Sequence, residues 1–166
     1  MHIPTFEIIP YIELLLNEKQ LFPYAFYEDR EINELYDAFP GSIWNGRSEL
    51  FGKPFLSIQD ITALRDRVEK INLHLNLTWN NHLIDENDIN DKYCNIVTEI
   101  LHNGKHSITV ASPILYKYLK EHYPNFCYYK SVIAANNKEY YLNKLNDDYD
   151  IYLLPPNCNK DYKFLN

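Results

Sequence analysis

The chain has 166 residues, 46% of them hydrophobic, enough for one domain with a sizeable core and too few for two ordinary ones. A net charge of -7, with Lys117, Lys120 and Lys130 too far apart to form a basic stripe, argues against a nucleic-acid binder, which sets clustered Lys and Arg against phosphate. Four glycines leave neither G-x-G-x-x-G nor a Walker pattern, which disfavours nucleotide binding by those two routes.

The cysteines Cys94, Cys127 and Cys158 are odd in number, widely spaced and without C-x-x-C. They fit reduced thiols in a cytoplasmic protein better than a disulfide framework. No basic, apolar leader opens the chain and no run approaches the ~20 apolar residues of a membrane span. Neither nucleic acid nor membrane is therefore expected as a partner.

Residues 5 to 18 predict a helix through Phe6, Ile9, Tyr11, Leu14, Leu15 and Leu16, with Pro10 opening or kinking it. Residues 21 to 26 read as a short extended run or a docking loop. Residues 31 to 39 fit a helix face through Ile32, Leu35 and Phe39, and equally a strand. The need for a first strand before the next loop favours a strand ending near Tyr36. Pro40-Gly41 and Asn45-Gly46 mark turns in that loop.

Residues 57 to 70 read as an amphipathic helix with Ser57 as N-cap and Asp60 three positions on. Residues 72 to 81, NLHLNLTWNN, organise the rest: Leu73, Leu75 and Leu77 alternate with His74, Asn76 and Thr78, a period-two strand ending in amides. A helix over 88 to 102 follows, with the acids of 85 to 88 at its N-terminus and Asn103-Gly104 at its end. Then come a strand at 107 to 111, a helix from Ser112-Pro113 that stops before Pro124, and a strand at 126 to 133. A short helix over 138 to 145, a strand at 150 to 154 and the opening of one more helix complete the chain. Strands and helices alternating at this length predict an α/β domain of four or five mainly parallel strands joined by βαβ units.

Several phrases carry a family resemblance: YDAFPGSIWNGR (36 to 47), LTWNN (77 to 81), DKYCN (91 to 95), ASPILYKYLKEHYP (111 to 124) and YDIYLLPPNCNKDYKFL (149 to 165). Together they resemble, in the same order, the N-terminal half of a family of uncharacterised bacterial proteins. That family is distantly similar to the collagenase-like peptidases. The resemblance implies a partial TIM-barrel-like (βα) repeat over residues 1 to 166, truncated relative to longer members whose later cysteines are similar to an iron–sulfur or metal ligand set. It also implies a completing partner chain or a homo-oligomer, since an unfinished barrel leaves strand edges open to pairing.

In a parallel sheet, ligands gather at the carboxyl ends of the strands. The candidate ligand-binding residues are therefore Asn45, Arg47, Thr78, Asn80, Asn81, Ser112, Asn157 and Asn159, with Ser131 at a further strand end. Amides and a guanidinium can hold a carboxylate, a phosphate or a sugar hydroxyl. Each asparagine has a plainer use in turns and caps.

Asp91, Cys94 and Asn95 share a helix, but no base or cation stands by the thiol, and a buried free cysteine is the simpler reading. His82 near Asp85, Glu86 and Asp88 matches no zinc spacing, and the acids suit a helix start, so no metal site is assigned. His102 and His106 are separated by Gly104, and His74 reads as an ordinary strand residue. Catalytic residues, cofactor, substrate and reaction type are not legible. The function expected is small-molecule or peptide binding at the strand ends, with a non-catalytic assembly role as the alternative.

Overall fold

The computed structural model describes residues 5–27, 31–46, 54–134 and 148–153. Five strands, β1 (Glu34–Asp37), β2 (His74–Trp79), β3 (Ser107–Val110), β4 (Cys127–Lys130) and β5 (Ile151–Tyr152), form one sheet in sequence order with every neighbouring pair parallel. Helix α1 (Thr5–Leu21) precedes the sheet. Helices α2 (Ile58–Lys70), α3 (Lys92–Leu101) and α4 (Pro113–His122) alternate with the strands, as the spacing predicted. No helix among the described residues is long and apolar enough to cross a membrane.

Local signals fix the helix ends. The Ser57 hydroxyl accepts the Asp60 N–H at 3.1 Å, and the Asp60 carboxylate accepts the Ser57 N–H at 3.3 Å, a complete capping box. Ser57→Ala should cost about 1 kcal/mol, read as a lower denaturant midpoint at unchanged slope. Ser112 caps α4, its hydroxyl accepting the Leu115 N–H at 3.3 Å. Gly41 turns the chain after β1 at φ +81°, and a Cβ there would lie 2.3 Å from the Phe55 ring. Only glycine meets both demands without strain.

Several boundaries differ from those the sequence predicted. The acids of 85 to 88 do not open α3. Asp85 Oδ1 accepts the N–H groups of Asn87 and Asp88, and Asp88 Oδ2 accepts that of Asp85. These acids thus close their own turn, and a 3-10 turn at Asp88–Asn90 follows. Asp91 becomes the cap, accepting the Cys94 N–H at 2.7 Å. Residues 21 to 26 are the end of α1 and a 3-10 turn at Pro23–Ala25. Pro10 lies inside α1, where it removes one backbone hydrogen bond without ending the helix. β4 stops at Lys130 because the Ser131 hydroxyl accepts the Ile133 N–H and turns the chain. The helices expected at 138 to 145 and after 158 fall outside the described residues.

Parallel strands laid down in sequence order put the described crossover helices α2, α3 and α4 on one face when the connections take the right-handed form such units favour. Side chains agree. Ile61, Leu64 and Val68 of α2 and Leu115 and Leu119 of α4 are buried with Leu75, Leu77, Ile108, Val110 and Tyr128 of the sheet. The Tyr128 hydroxyl donates to the Leu119 and Tyr123 carbonyls at 2.9 and 2.7 Å. α3 is tied to α2 by Arg65, which donates to the Ile100 carbonyl at 3.0 Å, and to α4 by the Tyr118 hydroxyl on Asn95. Among the described residues no crossover helix lies on the opposite face, and its composition is different.

Candidate functional site

The face opposite these helices is polar. The registers Asn76↔Ser107↔Cys127 and Thr78↔Thr109↔Tyr129 set two rows of amides, hydroxyls and a phenol across β2, β3 and β4. Asn76, Ser107 and Thr109 are buried, and burial of such groups is tolerable only when they are hydrogen-bonded. They satisfy one another. Asn76 Nδ2 donates to Ser107 Oγ at 2.7 Å, and Thr109 Oγ1 donates to Asn76 Oδ1 at 2.7 Å. The Ser107 hydroxyl also donates to the Glu34 carboxylate of β1, and the Tyr129 hydroxyl of β4 reaches the same oxygen at 3.5 Å.

That last contact reports shape. β1 and β4 stand three strand spacings apart, about 14 Å across a flat sheet. Glu34 and Tyr129 meet because the sheet curls toward its polar face, which becomes the floor of a cleft of about 720 Å³.

Of the residues the sequence singled out, Asn45, Thr78, Asn80, Asn81 and Ser131 line this cleft. Two of the asparagines chiefly hold the rim together. Asn45 Nδ2 donates to the Thr78 carbonyl at 2.6 Å and to Thr78 Oγ1 at 3.0 Å. Asn81 Nδ2 donates to the Ile43 carbonyl at 2.9 Å, its N–H to the Trp44 carbonyl at 2.9 Å, and its Oδ1 accepts the Leu83 N–H. Asn80 is different: its Oδ1 is buried and has no hydrogen-bond partner among the described residues. Ser112 is not brought into the cleft, its hydroxyl serving α4. Arg47, Asn157 and Asn159 lie outside the described residues.

Sequence reasoning passed over Glu34, Tyr36, Asn76, Thr109 and Tyr129, all of which line the cleft. The signal was present in the polar phase of the strand alternation, as in Asn76 between Leu75 and Leu77. Glu34 and Asp37 are acidic, and neither Lys nor Arg occurs among the described lining residues. Burial, followed by the nearby Glu34 charge, pushes the Tyr129 phenol above its ordinary value, so it remains a hydroxyl at neutral pH.

Neither described thiol is activated. Cys94 is fully buried, and burial pushes its thiol far up. Burial, then the charges of Asp150 and Glu34, raises that of Cys127. Asn95 supports packing, its Oδ1 accepting the Tyr118 and Tyr123 hydroxyls at 2.7 and 3.0 Å. Among the described residues no three His, Cys, Asp or Glu side chains converge as metal ligands would.

No family model, curated protein or solved structure matches the chain.

Proposed function

We propose that the protein binds a small polar molecule or peptide in the cleft on the concave face, at the C-terminal ends of the strands of a partial TIM-barrel-like repeat. The observation that carries this reading is the buried polar floor, Asn76, Ser107 and Thr109, where a parallel sheet ordinarily carries Val, Ile and Leu. Folding alone gains nothing from that choice, because an apolar face would add burial free energy. A cleft of about 720 Å³ is of the size that encloses a small ligand, and convergent polar groups fix its orientation.

Asn80 supplies the sharpest test. Its Oδ1 accepts no hydrogen bond from the described residues, so Asn80→Ala should not destabilise the protein by more than about 0.5 kcal/mol. The same variant should weaken a cleft-bound fragment about tenfold, the usual loss when a buried polar contact goes. A fragment screen followed by amide chemical shifts reads both. Shifts centred on Thr78, Asn80 and Thr109 in the wild type, and weakened in the variant, are expected. Shifts gathered on another surface would remove the proposal.

A second, non-catalytic reading rests on α1. Tyr11 is 72% exposed, Leu14 57% and Leu21 60%, and Tyr24 beyond the helix is 85% exposed, an apolar run of the kind that interaction surfaces carry. Light scattering tests self-association: a monomer at all accessible concentrations would remove assembly through this helix.

A further inference from the structure

Glu34 is the first residue of an edge strand, a place where a carboxylate ordinarily faces water. The curl of the sheet instead sets it half-buried in the lining of the 720 Å³ cleft. The hydroxyls of Ser107 and Tyr129 both reach one of its oxygens, Oε1. Neither hydroxyl carries a charge. Oε2 accepts no hydrogen bond from the described residues and is not shut away from solvent. The side chain thus has donors on one side and no Lys, Arg or His paired with it among the described residues. A half-buried carboxylate gains from a positive partner, because part of the water that would screen it has been removed.

From this unpaired charge we infer that the occupant of the cleft is a small primary amine with an apolar body, its ammonium on Glu34 Oε2. The inference rests on the ligand-binding reading above and names the class of its occupant.

Each part of such a molecule has a counterpart in the lining. For the body, Tyr36 of β1, Leu83 after β2 and Ile133 after β4 are exposed apolar side chains that stand around this one cleft. Such residues scattered singly need no explanation, whereas their convergence from separate segments makes a wall that can enclose a ligand. For the ammonium, Tyr36 and Tyr129 add aromatic rings, whose faces attract a cation.

The same lining disfavours other charged ligands. Asp37 is the second acid, and no described lysine or arginine awaits an anion. A metal ion wants several convergent ligands, and no three His, Cys, Asp or Glu side chains supply them among the described residues. A separate hollow of about 440 Å³ at the strand starts also has Glu34 on its wall, but Lys105 stands there too, and like charge opposes an ammonium.

The test is a matched trio built on one ring. Tryptamine, tryptophol and indole-3-acetate (a cation, a neutral alcohol and an anion) are titrated into the full chain while amide chemical shifts are followed. Tryptamine should shift Thr78 and Asn80 and bind about tenfold more tightly than tryptophol, the usual gain from a charge-assisted hydrogen bond. Indole-3-acetate should bind more weakly than either. Glu34→Gln keeps an acceptor for Ser107 and Tyr129 and removes the charge. It should erase the advantage of tryptamine and leave tryptophol within about twofold of its wild-type affinity. The trio on the unaltered chain keeps the proposal falsifiable if that variant misfolds. Tryptophol equal to tryptamine, or indole-3-acetate tightest, overturns the amine. An advantage that survives in folded Glu34→Gln overturns Glu34 as the counter-ion. Tryptamine shifts at His74 and Cys127 without any at Thr78 and Asn80 overturn the placement in the cleft. If none of the three binds while other fragments still shift Thr78 and Asn80, the amine is overturned and the cleft reading stands. If no fragment reaches the cleft, both fall together.

Discussion

Trp44→Ala should destabilise the protein by about 3–5 kcal/mol, the range for truncating a large buried aromatic. Trp44 is fully buried in the loop after β1, with its ring edge-on to Trp79 at 5.7 Å and to Tyr118 at 6.1 Å. Its indole N–H donates to the Asp88 carbonyl at 2.8 Å, so the side chain pins the loops after β1 and β2 to each other. Its backbone carbonyl accepts the Asn81 N–H, and Asn45 follows it directly. Loss of the ring therefore acts on two quantities, global stability and the shape of the cleft rim. Urea unfolding should show a lower midpoint with little change in slope, and fragment binding should weaken even where the variant is fully folded. Trp44→Phe keeps most of the apolar contact and gives up the hydrogen bond, so its cost should be about 1–2 kcal/mol. A Trp44→Ala protein that retains both wild-type stability and wild-type binding would contradict this account of the rim.

Stability should fall as pH drops through the ranges where His106 and Glu69 take up protons, and Glu69 sets the lower range. Glu69, at the end of α2, accepts Asn103 Nδ2 at 2.7 Å and the ammonium of Lys105, and meets His106 Nε2 at 3.2 Å. His106 is fully shielded, and its Nδ1 accepts the Leu75 N–H at 3.1 Å. The imidazole proton therefore sits on Nε2, facing the carboxylate. The cluster ties α2 to the starts of β2 and β3.

Burial alone would raise the Glu69 carboxyl, but the hydrogen bonds from Lys105 and Asn103 and the neighbouring positive charge outweigh it. They hold the group at about 2, against an ordinary 4.5. Burial lowers His106 below its ordinary 6.5, and the attraction of Glu69 offsets this only in part.

Both folded-state values lie below the unfolded ones, so the unfolded chain takes up protons first as pH falls, and stability falls with it. The His106 contribution is fully present above its ordinary 6.5 and is lost as pH drops through its lowered folded value. The Glu69 contribution is fully present above 4.5 and is lost between there and about 2. Glu69→Gln should lower stability at neutral pH by about 1–2 kcal/mol, the net value of charge-assisted hydrogen bonds at a largely buried site. It should also flatten the limb below pH 4.5. Chemical denaturation at a series of pH values measures both effects, and a variant whose acid limb matches the wild type would exclude Glu69 as its source.

The legible parts of the fold were those whose forces act over a few residues. The Ser57–Asp60 cap joins positions three apart, and Pro113 after Ser112 starts α4 by the same short-range logic. The alternation of Leu73, Leu75 and Leu77 with polar neighbours marked β2, and strand–helix alternation was enough for a parallel α/β sheet. The start of α3 was missed because two acid turns compete for one cap, and which of them wins depends on how the preceding loop folds.

The cleft was legible only as a rim. Asn45, Thr78, Asn80 and Asn81 stood out as polar residues at strand ends, but nothing local distinguished Asn80, with its unpartnered oxygen, from Asn45 and Asn81, which brace the loops. Asn76 and Thr109 lie inside their strands, where nothing local marks a polar residue as part of a cleft floor.

By itself the sequence determined the order and type of the elements and the two unlike faces of β2, because periodicity and capping are local properties of the chain. Only the tertiary structure decided that the polar face is concave and its floor buried. It alone brought Glu34 within reach of Ser107 and Tyr129, 73 and 95 positions away. The curl of a sheet arises from strand twist and packing summed over every strand, and no segment read alone contains it.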